Sequence, residues 1–183
     1  MTSQFFKQNI PNFLTIIRII LAPICIYLII KEFYLLSLVL FLCASITDFF
    51  DGFIARKYNY ISKIGSFLDP IADKFLVFGV FFTFYLNDII IDQYILIMII
   101  LRDLLVTSIR SVMESKGVTM VTTFLAKVKT TIQFSVIIII YFCLIFNYDF
   151  MFPIIYQISL IMAVITVYTG FDYFFKNFKN LSI

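Results

Sequence analysis

Four aspartates stand out in the first half of the chain: Asp48, Asp51, Asp69 and Asp73, each bordered by apolar residues. An ionised carboxylate in such a stretch costs about 2.5–3.5 kcal/mol on a membrane-insertion scale, so four of them demand compensation. In a helix, Asp48 and Asp51 project within about 60° of one another, while Gly65, Asp69 and Asp73, spaced by four, form one stripe of a second helix. Two such faces can converge four carboxylates on one point. The chain has no His, and Cys25, Cys43 and Cys143 are scattered among apolar residues, so the donors are oxygens. That set suits Mg²⁺, Mn²⁺ or Ca²⁺, singly or as a pair, and does not suit zinc or copper. Gly52 and Ala55 share the stripe of Asp48 and Asp51 and clear space for a ligand or a neighbouring helix. Arg56 follows, its fork fitted to a phosphate or to one of the aspartates. Metal beside arginine points to pyrophosphate. The plain alternative, interfacial aspartates paired with Arg56, Lys57 and Lys74, suits one or two carboxylates better than four at these spacings.

The elements that carry these residues belong to a bilayer protein. Of 183 residues, 62% are apolar and only 14% charged, against about 45–50% and 25% in soluble domains. Six spans of about 20 residues would use roughly 120 positions and leave no room for a second soluble domain. A single membrane domain over 1–183 is expected. Apolar runs place the spans at 11–31, 33–55, 70–87, 89–112, 124–146 and 150–173. Lys31-Glu32, Asn87-Asp88 with Asp92, and Asn147-Tyr148-Asp149 form tight turns, whereas the connections from Arg56 to Asp69 and from Arg110 to Lys129 are longer and basic. With the basic connections on one side, 13 of the 14 Lys and Arg residues lie there and Lys31 alone lies opposite. The positive-inside rule then puts both termini in the cytoplasm of a bacterial-type plasma membrane. Residues 1–10 are too polar for the core and are expected as a short interfacial amphipathic helix, with Phe5, Phe6 and Ile10 toward lipid. The apolar stretch Ile16–Ile30 is followed by Lys-Glu-Phe, so no signal-peptide cleavage is expected. The aromatic excess, 24 Phe and 11 Tyr, reads as lipid-facing filler and interfacial belt. Lys176 and Lys179 would rest on anionic headgroups. Without His or Trp, histidine bases, His-ligated zinc and axial-His haem are excluded.

Written out, the acidic segment is Asp48-Phe-Phe-Asp51-Gly52-Phe-Ile-Ala55-Arg56, eight residues, then Gly65-Ser-Phe-Leu-Asp69-Pro-Ile-Ala-Asp73. At every defining position it resembles the D-x-x-D-G-x-x-A-R-x₈-G-x-x-x-D-x-x-x-D signature of the CDP-alcohol phosphotransferases. A motif of this length between two spans is specific. The resemblance implies six transmembrane helices, a polar cavity on the cytoplasmic side and a homodimer. It also implies that Asp48, Asp51, Asp69 and Asp73 hold Mg²⁺ or Mn²⁺, two ions in all, with Asp73 also the general base. Gly52, Arg56 and Ser62 would contact the CDP part of the donor lipid, and Ala55 and Gly65 complete that slot. The implied chemistry is in-line attack of an acceptor hydroxyl on the lipid-linked phosphorus, with metal-assisted departure of CMP.

Three further stretches bear on the acceptor: Asn9-Ile-Pro-Asn12-Phe-Leu-Thr15-Ile-Ile-Arg18, Arg102-Asp103 through Arg110, and Lys127-Val-Lys129-Thr130-Thr131-Ile-Gln133. All are polar intrusions into apolar helices. They are similar to landmarks of the family branch whose donor is CDP-diacylglycerol and whose acceptor is sn-glycerol 3-phosphate. In that branch Asn12, Thr15 and Arg18 would serve the donor lipid. The acceptor brings a phosphate dianion, for which Arg102, Arg110, Lys127 and Lys129 are the available cations. Each is equally consistent with a positive-inside anchor. Lys127 and Lys129 leave a helix about 200° apart, so both face one cavity only if the helix begins after Lys127 or the side chains snorkel. Asp103 stands where the family usually has Glu, seven residues before Arg110 and almost on its face, placed to orient it. Ala126 replaces the usual Gly before the first lysine. Other acceptors within the family, phosphatidylglycerol as in a cardiolipin synthase, inositol phosphate or serine, remain open at this point. So does a divalent-cation carrier, although no carboxylate lies at mid-span as an ion pathway would need. No nucleic-acid partner is expected.

Overall fold

Nearly every helix of this chain is built from Ile, Leu and Phe, and isoleucine is only a moderate helix former in water. In an apolar medium that weakness is overridden, because a helix pairs all its own backbone N–H and C=O groups within one segment. A computed structural model describes residues 2–58, 63–115 and 124–181, with side chains over 15–47, at 72, over 74–109, at 112 and 113, and over 128–176. Among the described residues the fold is all-helical: α1 (Thr2–Ile30), α2 (Tyr34–Tyr58), α3 (Lys63–Leu86), α4 (Gln93–Ser115), α5 (Phe124–Phe146) and α6 (Phe152–Leu181), with a 3-10 turn at Asp149–Met151 before α6. The chain divides into two compact units, Met1–Asn87 and Asp88–Ile183.

In the first unit α1 packs against both α2 and α3, which also touch each other. Its core is Ala22, Cys25 and Ile29 of α1, Leu38, Phe41 and Ala44 of α2, and Leu76, Val80, Phe81 and Phe84 of α3. Ser37 Oγ donates to the Cys25 carbonyl at 3.0 Å, and the Cys25 thiol reaches back to the Ser37 carbonyl at 3.8 Å, which pins α2 to α1. Gly79 lets α3 approach α1 closely, since a Cβ there would lie 2.8 Å from Ile26 Cδ1.

In the second unit α6 takes the role of α1 and packs against both α4 and α5. Its buried positions Ile155, Ser159, Met162, Thr166, Thr169 and Tyr173 alternate by four and three, the repeat of a helix packed along one seam. Val106, Ile109 and Met113 of α4 close against Tyr173 and Phe174. Asp92 caps α4, its Oδ1 accepting from the Ile95 N–H at 2.8 Å, and its Oδ2 accepts from the Tyr156 hydroxyl at 2.7 Å, tying the start of α6 to the start of α4.

The tight turns are built from left-handed residues. Glu32 has φ 62°, with Glu32 N–H donating to the Ile29 carbonyl and Phe33 N–H to the Leu28 carbonyl, both at 2.9 Å. This is a Schellman termination. Asn147, at φ 53°, ends α5 in the same way, with Tyr148 N–H donating to the Cys143 carbonyl at 2.9 Å.

Polarity is reversed relative to a soluble fold. On α1 the exposed face is Ile16, Ile20, Ile24, Tyr27 and Ile30, while Thr15 and Arg18 are buried. On α6 Ile154, Ile161, Val164, Tyr168, Phe171 and Phe175 face outward, and Ser159, Thr166 and Thr169 face inward. Apolar outside and polar inside is the pattern of a membrane protein. Val128–Phe146 and Asp149–Lys176 are long and apolar enough to cross a bilayer, and the described apolar parts of α1, α2 and α3 (Thr15–Ile30, Tyr34–Thr47 and Lys74–Leu86) are shorter.

Each expected apolar run overlaps one of the six helices: 124–146 coincides with α5, the other five overhang a helix end by one to four residues, and the expected tight turns are the observed ones. Five helices run past the apolar runs: α1 begins at Thr2, α2 reaches Tyr58, α3 begins at Lys63, α4 reaches Ser115 and α6 reaches Leu181. Residues 2–10 continue α1 as one helix and do not form a separate element.

Candidate active site

Asp48 and Asp51 lie in the second half of α2, and Asp69 and Asp73 in the first half of α3. At 1.5 Å per residue, Asp51 is about 10 Å from the end of α2 and Asp69 about 9 Å from the start of α3, so the two pairs lie at comparable distances along consecutive helices of the same unit. Gly65 is in the first turn of α3, with Asp69 and Asp73 one and two turns further on. The side chains of Asp48, Asp51, Gly52, Ala55, Arg56, Gly65, Asp69 and Asp73 are outside the described ones, as is that of Asn12, and Ser62 is outside the described residues altogether. Among the described residues no three His, Cys, Asp or Glu side chains come together. As a donor set, four carboxylates from two consecutive helices fit a hard divalent ion. Thr15 and Arg18 are fully buried on the inner face of α1.

A second polar cluster sits in the other unit. Arg102 and Lys129 are 8% and 6% exposed, which is unusual for two cations. Between them lies Asp103. Lys129 Nζ donates to Asp103 Oδ1 at 2.7 Å and to Oδ2 at 2.9 Å, and Arg102 Nη1 donates to Oδ1 at 2.9 Å. The carboxylate thus joins α4 to α5 and compensates one of two buried positive charges. Gln133 lies one turn along α5 from Lys129 on the same buried face, and its amide nitrogen has no hydrogen-bond partner among the described residues. The same holds for Arg102 Nε. On the α6 side, Gly170 abuts Arg102: a Cβ there would lie 2.8 Å from Arg102 Cγ.

Of the acceptor cations expected from sequence, the structure therefore brings Arg102 and Lys129 onto one carboxylate. The side chains of Arg110 and Lys127 are outside the described ones. Asp103, expected to orient Arg110, has Arg102 and Lys129 as its described partners. Same-helix spacing pointed to Arg110, while the partner that engages both carboxylate oxygens comes from α5, which spacing along α4 cannot reveal. Because α5 begins at Phe124, both Lys127 and Lys129 are within the helix. Gly170 carried no sequence signal beyond being one of five glycines.

The sequence profile of the CDP-alcohol phosphatidyltransferases matches residues 8–170, across both units. The chain belongs to this family. Among its relatives is a Rickettsia bellii protein named CDP-diacylglycerol--glycerol-3-phosphate 3-phosphatidyltransferase, 38% identical over 175 residues, covering 91% of this chain and 94% of the relative. A Bacillus subtilis protein of the same name is 33% identical over 191 residues, covering 94% and 97%. A Wigglesworthia glossinidia brevipalpis protein of that name is 34% identical over 183 residues, covering 96% and 98%. As a CDP-alcohol phosphatidyltransferase the chain is an enzyme, a transferase of phospholipid biosynthesis that works in a membrane. The resemblance carried by the aspartate signature is thereby established at the level of the family.

Proposed function

We propose that this CDP-alcohol phosphatidyltransferase moves the phosphatidyl group of CDP-diacylglycerol onto sn-glycerol 3-phosphate, giving phosphatidylglycerophosphate and CMP. The observation that carries this reading is the match, along nearly the whole chain, to relatives whose names state that reaction. The buried Arg102 and Lys129 support it, since a phosphate dianion needs cations that a serine or a neutral alcohol does not. In this reading Asp48, Asp51, Asp69 and Asp73 hold one or two Mg²⁺ or Mn²⁺ ions, which would neutralise the pyrophosphate and make CMP a better leaving group. Asp73 takes the proton of the acceptor hydroxyl as its oxygen bonds to the lipid-linked phosphorus and the bond from that phosphorus to CMP breaks. Asn12, Thr15, Arg18, Gly52, Ala55, Arg56, Ser62 and Gly65 serve the donor lipid. Arg102, Arg110, Lys127 and Lys129 supply positive charge to the acceptor phosphate.

We further propose that residues 1–183 act as one membrane domain of six spans, a homodimer with both termini and the active site facing the cytoplasm of a bacterial-type plasma membrane. The N-terminal part of α1 then lies at the interface. Support comes from the one-sided distribution of Lys and Arg and from the reversed polarity of α1 and α6.

The test is CMP release from CDP-diacylglycerol by purified protein with Mg²⁺ or Mn²⁺, with glycerol 3-phosphate, phosphatidylglycerol, serine and inositol phosphate offered separately. Release with glycerol 3-phosphate alone is expected. Release with another acceptor in its place would overturn the assignment of the four cations, and no release with any would overturn the reaction.

A further inference from the structure

Arg102 and Asp103 are adjacent on α4, and neighbours on a helix project about 100° apart and do not face each other. For Arg102 Nη1 to come within 2.9 Å of Asp103 Oδ1, the arginine stem must curl back across its own helix. Gly170 of α6 lies beside that stem: an added Cβ would be 2.8 Å from Cγ, 3.7 Å from Cβ and 3.8 Å from Cδ. The inward curl of Arg102 and the missing side chain at 170 are therefore one arrangement. On its other side Asp103 accepts two hydrogen bonds from Lys129. A carboxylate shared by two cations on different helices fixes their separation as neither cation could alone, and leaves the trio with one net positive charge in a largely buried place.

We infer that Asp103 is a positioning residue, holding Arg102 and Lys129 as a preformed pair for the acceptor phosphate, and that Gly170 is a second one, leaving the space in which Arg102 reaches Asp103. This rests on the acceptor reading given above. Neither residue touches substrate; both act through the cations. The carboxylate restrains the pair, so its removal loosens recognition of a phosphate more than it alters the reaction at phosphorus.

The experiment measures acceptor KM, donor KM and kcat for glycerol 3-phosphate-dependent CMP release by Asp103→Asn, Asp103→Glu, Gly170→Ala, Arg102→Ala and the double variant Arg102→Ala/Gly170→Ala, together with Tm in detergent. Loss of charge-assisted hydrogen bonds predicts that Asp103→Asn raises acceptor KM about tenfold or more, with donor KM unchanged and kcat much less affected. Asp103→Glu, which keeps the charge, recovers most of that loss. Gly170→Ala shows the same acceptor-KM signature, and in the Arg102→Ala background, where Cγ is gone, it changes neither KM nor Tm. The inference is overturned if Asp103→Asn leaves acceptor KM unaltered, if donor and acceptor KM rise together, or if Gly170→Ala is additive with Arg102→Ala. Should glycerol 3-phosphate prove not to be the acceptor, the reaction assignment fails first. The Tm cycle then still decides whether Gly170 and Arg102 are coupled, and additivity there removes the arrangement itself.

Discussion

A carboxylate in an apolar helix has to justify its desolvation, and for five aspartates here two ways are at hand. Asp103 does it by pairing with Arg102 and Lys129, and breaking a buried pair by removing one partner costs about 3–5 kcal/mol. Asp48, Asp51, Asp69 and Asp73 are proposed to do it through metal. Two outcomes separate their roles. Asp73→Asn is expected to abolish CMP release while CDP-diacylglycerol binding, followed by equilibrium dialysis or thermal shift, is largely retained; full turnover would remove Asp73 as the base. Asp51→Ala is expected to lose the Mg²⁺- or Mn²⁺-dependent part of donor binding, and metal dependence equal to that of the unaltered protein would defeat its assignment as a ligand. The acidic signature was legible in the sequence because its spacing is short-range, set within two consecutive helices. The Asp103–Lys129 bridge was not, because its partners are 26 residues apart and meet only through packing.

Among the helices, what sequence revealed and what it concealed also have separate physical causes. The turns at Lys31-Glu32, Asn87-Asp88 and Asn147 were legible because polar residues interrupt apolar runs where the backbone must turn, and Asn tolerates the left-handed conformation found at 147. The helix ends were not, because hydropathy marks the stretch that prefers lipid, whereas the helix continues through polar residues such as Lys63 and Lys176 as long as its backbone bonds propagate. Close approach of α3 to α1 makes a prediction of its own. Gly79→Ala should lower Tm, equivalent to about 1–3 kcal/mol for an overpacked contact, and adding Ile26→Val, which removes the Cδ1 that a new Cβ would meet at 2.8 Å, should restore most of it. A stable Gly79→Ala protein with no response to Ile26→Val would show that this contact does not set the spacing. At the turn, Glu32→Gly should raise stability by about 0.5–1 kcal/mol, since φ 62° is easy for glycine and strained for glutamate.

At the scale of the whole molecule the proposed orientation makes the tight turns and the basic connections chemically distinguishable. In a chain with Cys25, Cys43 and Cys143 replaced by alanine, Asp88→Cys is expected to react with a membrane-impermeant maleimide added to intact cells, and Lys116→Cys only after permeabilisation. The opposite pattern would invert the topology, and labelling of both from outside would remove the six-span reading.

The two units differ in the order in which their parts are made. In the first unit the central helix is α1, so in the proposed six-span topology each later helix would leave the ribosome to find its main partner already in the bilayer. In the second unit that helix is α6, which emerges last. In the proposed six-span topology α4 and α5 would until then wait in the membrane without it, carrying Arg102, Asp103 and Lys129. The bridge between them would offset one of the two positive charges there, so the salt link proposed to position two cations in the finished enzyme would also favour the nascent chain's staying inserted.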